Sequence, residues 1–319
     1  MAVQKDEMIF ALSLEDFSEY YKRADKLRRE AVGDIVHIRA ILEFSNYCRR
    51  NCAYCGLNCK NRALARYRME PEEIIKTGKE AHRAGYKTIV LQSGEDSYYT
   101  REMIGEIVSE LTKEGITVTL SCGERDFDEY RYWRDCGAAR YLLKHETADE
   151  KLYAELHPGY TLEQRIACLK ELKNLGYETG SGFMIGLPGE NAELISENVL
   201  FLDKLNCDMA GIGPFIPSPM TEMANVPAGS VELTQRAVAL TRILRPNMNL
   251  PATTALGVQN AVARQNVFSR GANVIMRKVT PEPYKSLYQI YPAKLGETDI
   301  VRERQELCDF IKSMGKIPE

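Results

Sequence analysis

Residues 45–56 read Ser-Asn-Tyr-Cys-Arg-Arg-Asn-Cys-Ala-Tyr-Cys-Gly and follow directly on the apolar stretch 37–44. They place three thiols, those of Cys48, Cys52 and Cys55, within eight residues. A short apolar segment that ends in such a loop predicts a buried strand with the loop at its carboxyl end. This strand and its cysteine loop therefore open the main domain.

The stretches that follow repeat the strand and alternate with amphipathic segments. Strands are predicted at 37–44, 87–92, 116–121, 139–144, 177–185, 208–213, 250–255 and 272–276. Helices are predicted between them at 71–84, 101–113, 161–175, 192–205 and 231–244. Eight strands alternating with helices favour an α/β fold, a complete (β/α)8 TIM-type barrel, over the alternative of an open Rossmann-type sheet.

One more helix is predicted ahead of the barrel, at residues 14–29, with Ser13 as its start signal and Asp16 as the capping partner. The chain then divides into an N-terminal helical extension (1–33), the barrel (34–291) and a C-terminal tail or helix (292–319). Its 319 residues suffice for a barrel of roughly 250 residues with additions at both ends.

Composition excludes several classes of protein. The 42 Lys and Arg against 45 Asp and Glu leave a net charge of -3, too weak a field to attract nucleic acid or anionic lipid. The first ten residues lack the basic-then-apolar order of a signal peptide, and no stretch approaches the roughly 20 apolar residues of a membrane span. We expect a cytoplasmic protein whose nine cysteines stay reduced, so that clustered ones bind metal.

The spacing of Cys48, Cys52 and Cys55 suits a [4Fe-4S] cluster. Three thiolates bind three irons and leave the fourth iron open for the amino and carboxylate groups of S-adenosylmethionine. The alternative is a structural zinc site completed by Cys59. Four ligands within twelve residues would be cramped for zinc, whose ligand pairs are usually about a dozen or more residues apart. The cluster is favoured, and Cys59 is expected to be a bystander.

Reactive side chains of such barrels lie on loops after the carboxyl ends of strands. Gln92 ends the second predicted strand, and Ser93 and Glu95 follow it. A carboxylate at Glu95 suits the ammonium group of methionine, although it could equally serve only as a dipole partner at the start of the next helix. Glu146 follows the fourth strand, and Arg165 lies in the first turn of the next helix, on the same rim.

Residues 180–186 read Gly-Ser-Gly-Phe-Met-Ile-Gly. Their glycine spacing does not match a dinucleotide fingerprint, and they lie within a predicted strand rather than at the start of a helix. The exposed end of that strand, 185–187, is expected to pack on an adenine face.

Five strand-end motifs together resemble the HydE family, radical S-adenosylmethionine maturases of [FeFe]-hydrogenase. These motifs are 36–46, 90–96, 141–147, 211–217 and 251–255, and the likeness runs from about Asp34 to Tyr291. The cysteine motif alone identifies only the radical S-adenosylmethionine superfamily. The nearest relatives of the HydE family are the methylornithine synthase PylB and, further off, biotin synthase.

The resemblance implies a cavity with S-adenosylmethionine at the top and a small organometallic substrate below. Tyr54 and Leu187 would border the adenine, Glu95 would bind the methionine ammonium, Glu146 the ribose and Arg165 the carboxylate. The substrate cavity would be lined by Thr119, Arg140, Thr253, Thr254, Met276, Tyr288 and Tyr291.

In that family the substrate is an iron–dicarbonyl–cyanide complex carrying cysteine. It is made by the maturase HydG, and the product passes to the scaffold HydF. An external one-electron donor, a ferredoxin or flavodoxin, would supply the reducing electron.

The sequence departs from the family pattern at two places. Only Cys308 stands where some members carry extra C-terminal cysteines, so a single cluster is expected. Lys144 stands where the family has Arg, and Lys cannot form a bidentate fork with a carboxylate.

Two alternatives to the maturase remain: a PylB-like mutase that converts lysine to methylornithine, and a non-catalytic metal-binding protein. A lysine-binding cavity is expected to offer a carboxylate to the substrate ammonium. The matched positions offer Arg140 and hydroxyl groups instead, including those of Thr253 and Thr254. The maturase is therefore favoured.

Overall fold

The computed structural model describes residues 3–292 and 299–319. Its helices are α1 (Lys5–Ser13), α2 (Ser18–Val32), α3 (Pro71–Arg83), α4 (Arg101–Thr112), α5 (Phe127–Asp135), α6 (Glu150–Leu156), α7 (Leu162–Asn174), α8 (Ala192–Lys204), α9 (Val231–Leu244), α10 (Thr254–Gln259), α11 (Ala261–Asn266), α12 (Tyr284–Leu287) and α13 (Ile300–Ser313). Its strands are β1 (Ile35–Ser45), β2 (Thr88–Ser93), β3 (Thr117–Ser121), β4 (Arg140–Leu142), β5 (Glu178–Ile185), β6 (Met209–Pro214), β7 (Val274–Lys278) and β8 (Ile317–Pro318).

The strands form a parallel sheet in the order β6-β5-β4-β3-β2-β1-β7. From β1 to β6, strands that follow one another in the chain lie side by side, each pair joined through at least one helix. The short strand β8 pairs in parallel with the start of β1, where Ile35 lies opposite Ile317. The predicted α/β class with a parallel sheet is confirmed.

The predicted complete barrel of eight regular strands is wrong at one place, because residues 250–255 form no strand in the described structure. This part of the chain makes only isolated parallel bridges, Asn249 with Met209 of β6 and Pro251 with Val274 of β7. Pro251 has no N–H to donate, so it cannot continue a regular ladder through this segment. The regular ladder therefore ends at β6 and β7, and the barrel is incomplete as a regular eight-stranded sheet.

Alternation along β1 separates the hydrophobic core from the barrel interior. The buried apolar side of the strand belongs to the main hydrophobic cluster and consists of Val36, Ile38, Ala40, Leu42 and Phe44. Arg39 and Glu43 lie on the other face. Arg39 contacts the sulfur of Met209 on β6 at 3.3 Å, at the far end of the sheet order, so the sheet curves around a shared interior.

The N-terminal extension contains two helices. The helix predicted at 14–29 is α2, but its predicted start after Ser13 is wrong. Ser13 ends α1, and α2 begins at Ser18. Both the N–H and the hydroxyl of Ser18 donate to the Asp16 carboxylate, which starts the second helix there. The boundaries of the extension and of the tail stay predictions, since residues 1–2 and 293–298 lie outside the described chain.

The helices of the barrel begin at local signals in the sequence. Thr161 and Gln164 form the predicted capping box at α7, each side chain accepting from the other's backbone N–H.

Within the described ranges, no helix has the length and apolar character of a bilayer span.

Candidate active site

The cysteine loop leaves β1 at Asn46 and is fixed along its length by one side chain. The guanidinium of Arg66 donates to four backbone carbonyl groups of the loop, those of Asn46, Leu57, Asn58 and Asn61. A planar group with five N–H donors is suited to hold several carbonyls at once. The loop that carries the three thiols is therefore braced independently of any ligand.

The three cysteine side chains are partly exposed, and none forms a disulfide. Burial raises the pKa of the Cys48 thiol, and hydrogen bonds from the backbone N–H groups of Arg50 and Glu95 oppose this effect only in part. The N–H of Glu95 donates to Sγ of Cys48 at 3.3 Å. Burial raises the pKa of Cys52 to about 12, and a negative charge on Cys48 adds to the effect, so these sulfurs lie near each other. Hydrogen bonds to sulfur are a feature by which proteins tune iron–sulfur clusters.

The donor set fits a [4Fe-4S] cluster better than a single ion. In the described residues, no three His, Cys, Asp or Glu side chains converge closely enough to hold one metal ion. Each thiolate of a cluster binds a different iron, so the sulfurs of Cys48, Cys52 and Cys55 need to surround a space rather than meet at a point. Cys59, which a zinc site would require, is exposed to solvent.

Gly56 brings the segment 288–291 against the cysteine loop. Its N–H donates to the carbonyl of Ile290 at 2.8 Å, and a Cβ on Gly56 would lie only 2.2 Å from the carbonyl oxygen of Gln289. Glycine is required at this close approach of two backbones. The predicted substrate residues Tyr288 and Tyr291 flank this contact and are thereby held beside the loop.

Two buried carboxylates, Glu95 and Glu124, organise the arginines around the loop. One oxygen of Glu95 accepts from both Arg49 and Arg50 at 2.7 Å. Glu124 accepts from Arg50 at 2.7 Å and from Arg165 at 2.5 Å. Burial acts to raise the pKa of Glu124, but the guanidiniums of Arg165 and Arg50 outweigh it and lower the pKa. The network joins the loops after β1, β2 and β3 to α7.

This network places two predicted ligands of S-adenosylmethionine in ion pairs. The carboxylate of Glu95 already binds two arginines, and Arg165 already binds Glu124 and the carbonyl of Lys144. To bind the methionine part of S-adenosylmethionine, Glu95 and Arg165 would each have to contact it in addition to the present ion-pair partners. Sequence reasoning places Glu124 on the rim after the third predicted strand but assigns it no role in the site.

Glu146 lies after β4, as predicted, in an unusual backbone conformation. Its φ of 65° is in the left-handed region, which costs a residue other than glycine about 1–3 kcal/mol. The N–H of Glu146 donates to the carbonyl of Gly182, and its carboxylate accepts from Lys144 at 2.7 Å. Strain held in place by such contacts is typical of ligand sites.

Tyr54 and Leu187, the two residues expected at the adenine, belong to one small apolar cluster. Leu187 is buried there with Leu156 and Phe215, and Tyr54 packs against them. The N–H of Ala53 donates to the carbonyl of Leu156 at 2.9 Å, which fixes this part of the cysteine loop on the end of α6. The structure therefore brings the two predicted residues together.

Arg140 lies inside the barrel but at the amino ends of the strands. It is the first residue of β4, and its guanidinium pairs with the half-exposed Glu178 at 2.5 Å and reaches Thr88 at 3.3 Å. Glu178 and Thr88 are likewise the first residues of their strands. The expectation that Arg140 lies on the rim with the other cavity residues is wrong, because Arg140 is ion-paired on the opposite side of the barrel.

The other predicted interior residues occupy several depths. Gln92 donates to the hydroxyl of Tyr288 at 3.2 Å, which places the two on one side of the cavity. Ser93 pairs with Ser45 in the ladder between β2 and β1. The hydroxyl of Thr253 caps α10, and Thr254 is the first residue of that helix.

Thr119 and Met276 lie on strands of the interior, in register with Arg140 and Arg39 respectively. The hydroxyl oxygen of Thr119 is buried and has no hydrogen-bond partner within the described ranges. Buried hydroxyls are normally paired, so this oxygen is a candidate for a ligand contact.

The interior also carries charges that sequence reasoning did not select. Glu43 is buried on β1 and pairs with Lys278 of β7 at 2.8 Å. Arg39 lies on the same face of β1, and burial lowers its pKa to about 10. The interior therefore contains a carboxylate as well as hydroxyls, but Lys278 neutralises it.

Comparisons with known proteins identify the family of this chain. The family model described as the Radical SAM superfamily matches residues 42–202. The [FeFe] hydrogenase maturase subunit HydE of Thermotoga maritima is 53% identical over 97% of this chain and 90% of its own length. The 3-methylornithine synthase of Methanosarcina acetivorans is 29% identical over 98% of this chain and 89% of its own length.

The crystal structure of methylornithine synthase (PylB) superposes with a TM-score of 0.86 and 25% sequence identity, over 100% of this chain and 95% of that chain. The fold thus agrees with the family match. Because the identity to HydE extends over nearly the whole chain, this protein belongs to the radical S-adenosylmethionine superfamily and, within it, to the HydE family.

Proposed function

We propose that this chain is a HydE-type radical S-adenosylmethionine enzyme. Its substrate would be an iron–dicarbonyl–cyanide complex carrying cysteine, used in assembly of the di-iron subcluster of [FeFe]-hydrogenase. The observation that carries the proposal is the braced loop that presents Cys48, Cys52 and Cys55 at the mouth of a barrel with a polar, cationic interior. The 53% identity to the Thermotoga HydE supports the same reaction class.

Cys48, Cys52 and Cys55 would hold one [4Fe-4S] cluster. When bound, this group supplies the electron that cleaves the sulfonium of S-adenosylmethionine to methionine and a 5′-deoxyadenosyl radical. Tyr54 and Leu187 offer the adenine an apolar surface that excludes water.

Five charged or polar side chains on the rim of the barrel would position the rest of S-adenosylmethionine. Glu146, whose carboxylate is held by Lys144, would accept a hydrogen bond from a ribose hydroxyl. Glu95 and Arg165 would bind the ammonium and carboxylate by sharing the charges of their present partners, and Gln92 and Ser93 lie beside Glu95 at the same strand end. Charge-assisted hydrogen bonds of this kind are the strong ones.

The balance of charge in the interior favours an anionic substrate. Arg39 and Lys278 are cationic side chains on the inner face of the strands, and Glu43, which pairs with Lys278, neutralises them only in part. The cysteine carboxylate and the cyanide ligand of the proposed substrate can accept from such donors and from the unpartnered hydroxyl of Thr119. The remaining predicted residues, Thr253, Thr254, Met276, Tyr288 and Tyr291, would complete the cavity.

The place in the reaction sequence follows from the substrate. HydG would supply the iron–cysteine complex, and the scaffold HydF would receive the product. An external ferredoxin or flavodoxin would supply the electron.

A second candidate is conversion of lysine to methylornithine, which the structural likeness to PylB supports. The ion pair between Glu43 and Lys278 argues against it, because Lys278 occupies the buried carboxylate that a substrate ammonium would need.

The test supplies the two substrates separately to the reduced enzyme under anaerobic conditions. We expect the iron–cysteine complex to be consumed together with S-adenosylmethionine, and lysine to be left unchanged, as followed by mass spectrometry. Formation of methylornithine without reaction of the iron complex would reverse the assignment.

A further inference from the structure

We propose that the outer surface of the cysteine loop docks an acidic one-electron carrier protein. This surface, the cationic face, consists of Arg49, Lys60 and Arg62 with Met220 beside them. The inference rests on the proposed function, in which the carrier loses one electron, the sulfonium of S-adenosylmethionine gains it, and one carbon–sulfur bond breaks. The face decides which kind of protein can deliver that electron.

The sign of the charge on residues 44–69, the segment that contains the cysteine loop, is opposite to that of the whole chain. Residues 44–69 contain no Asp or Glu, although the whole chain has a net charge of -3. The cations of the segment are Arg49, Arg50, Lys60, Arg62, Arg66 and Arg68. The positive charge is therefore concentrated on the loop that carries the thiols.

Four of these cations have structural partners. Arg50 pairs with buried carboxylates, Arg68 pairs with the buried Asp96 at 2.8 Å, and Arg66 braces the loop carbonyls. The side chain of Arg49 pairs with Glu95 but remains 53% exposed. The other two, Lys60 and Arg62, are left on the surface.

Neither Lys60 nor Arg62 serves to hold the loop. The side chain of Lys60 is 67% exposed and lies 3.6 Å from Glu222, which is equally exposed, and pairs of this kind contribute little to stability. Arg62 is exposed, and it forms no ion pair with any residue of the described ranges. Their charges are available to a partner.

The two cations stand on a fixed turn close to the cluster ligands. The side-chain oxygen of Asn58 accepts from the N–H groups of Lys60 and Asn61, both at 3.0 Å. The side chain of Asn61 donates to the carbonyl of Gly56, the residue after Cys55. A carrier bound here would lie against the loop that holds the cluster.

Met220 adds an apolar contact to the same face. A Cβ on Gly56 would lie 2.9 Å from the hydroxyl oxygen of Ser218, so the segment after β6 touches the cysteine loop. Met220 on this segment is 53% exposed, two residues from the Glu222 that pairs with Lys60. An exposed apolar side chain among charges is typical of a protein interface, and Met adapts to different partners.

The chemistry of the face selects the partner. Cationic groups around an electron-accepting site steer an acidic carrier and raise its association rate roughly ten- to a thousandfold, with strong dependence on salt. Nucleic acid, the other common polyanion, usually binds to a longer basic surface on a protein of positive net charge. The acidic carrier is the better match.

The experiment compares two double variants of the reconstituted holoprotein that change the net charge equally. The first is Lys60→Glu with Arg62→Glu. The control is Lys22→Glu with Lys26→Glu on α2, where both lysines are more than 70% exposed. Association with a small acidic ferredoxin is measured by stopped-flow at about 20 mM and about 500 mM salt, where screening is weak and strong. Iron content and circular dichroism check that both variants are intact.

We expect the first variant to associate roughly ten- to a hundredfold more slowly at low salt, with the difference disappearing at high salt and little change in the control. Equal losses in both variants, or no loss in either, would overturn the proposal. Loss of binding to a short oligonucleotide with ferredoxin binding unchanged would overturn it in favour of nucleic acid. Photoreduced deazariboflavin, a small uncharged reductant, should drive S-adenosylmethionine cleavage equally in all proteins, so failure of that reaction would count against the proposed function instead.

Discussion

The hydroxyl of Tyr54 lies 3.1 Å from Nε2 of His157. Nδ1 of the same ring lies 3.0 Å from the carbonyl oxygen of Tyr153, which can only accept, so Nδ1 carries the proton and Nε2 accepts from Tyr54. Burial lowers the pKa of His157 to about 3, which keeps the ring neutral near pH 7. The histidine thus fixes the tyrosine that stands beside Cys55 and is expected to border the adenine.

Replacing His157 with Phe should weaken S-adenosylmethionine binding without loss of iron, because Tyr54 loses its acceptor. A neutral hydrogen bond contributes about 0.5–1.5 kcal/mol, so the Kd should rise roughly two- to twelvefold. Calorimetric titration of the reconstituted protein measures this. Tyr54→Phe should have a similar effect, and the double variant should lose little more. Fully additive losses would show that the two side chains act independently.

Replacing Glu124 with Ala should destabilise the protein strongly, because Arg50 and Arg165 would lose their shared buried partner. Breaking a buried pair from one side costs about 3–5 kcal/mol. Urea denaturation of the protein without iron measures the free energy of unfolding. The matched control is Glu178→Ala, which removes the half-exposed partner of Arg140 and should cost about 1 kcal/mol or less. Similar losses in the two variants would contradict the role given to Glu124.

Replacing Thr119 with Val should impair turnover of the substrate without lowering the stability of the protein. Its hydroxyl has no partner within the described ranges, so the free energy of unfolding should stay unchanged or rise by up to about 1 kcal/mol. Turnover of the iron–cysteine complex should fall, while slow cleavage of S-adenosylmethionine continues. Thr280→Val is the contrast for stability, since the N–H of Glu43 donates to that hydroxyl at 2.9 Å and would be left buried and unpaired. Unimpaired turnover in Thr119→Val would remove Thr119 from the substrate site.

Glu190 should make stability fall as the pH rises from about 4.5 to 7. Burial raises the pKa of its carboxyl to about 7, and one of its oxygens has no partner in the described chain. The folded state therefore binds the proton more tightly than the unfolded state, and stability is lost as the pH rises through the folded pKa, by about 3 kcal/mol in all. Glu190→Gln should not show this decline. Identical pH profiles of the free energy of unfolding for the two proteins would contradict it.

Local patterns were enough to place most helices and strands. The helix predicted at 71–84 is α3 (Pro71–Arg83), and the one predicted at 231–244 has those bounds in the structure. The seventh predicted strand failed because an apolar stretch predicts burial, whereas a ladder also needs N–H donors, which Pro251 cannot supply. The short helices α10 and α11 follow that segment and are too short to show a clear periodicity.

The sequence predicted the location of the candidate site better than it predicted which of its charged side chains form ion pairs. Cys48, Glu95 and Glu146 lie at strand ends, as the barrel rule predicts. Which charges pair depends on loops that meet only in three dimensions. Sequence spacing therefore gave no sign that Glu124 joins Arg165, or that Arg140 points to the amino side of the barrel.

The central claim is that Cys48, Cys52 and Cys55 hold a single cluster with an iron open to S-adenosylmethionine. Electron paramagnetic resonance of the reduced protein, with and without S-adenosylmethionine, tests it most directly when it is combined with iron analysis of the four Cys→Ala variants at 48, 52, 55 and 59. We predict a cluster signal that changes when S-adenosylmethionine is added, that persists in Cys59→Ala, and that disappears with the iron in each of the other three. Loss of the cluster in Cys59→Ala, or a signal indifferent to S-adenosylmethionine, would contradict the claim.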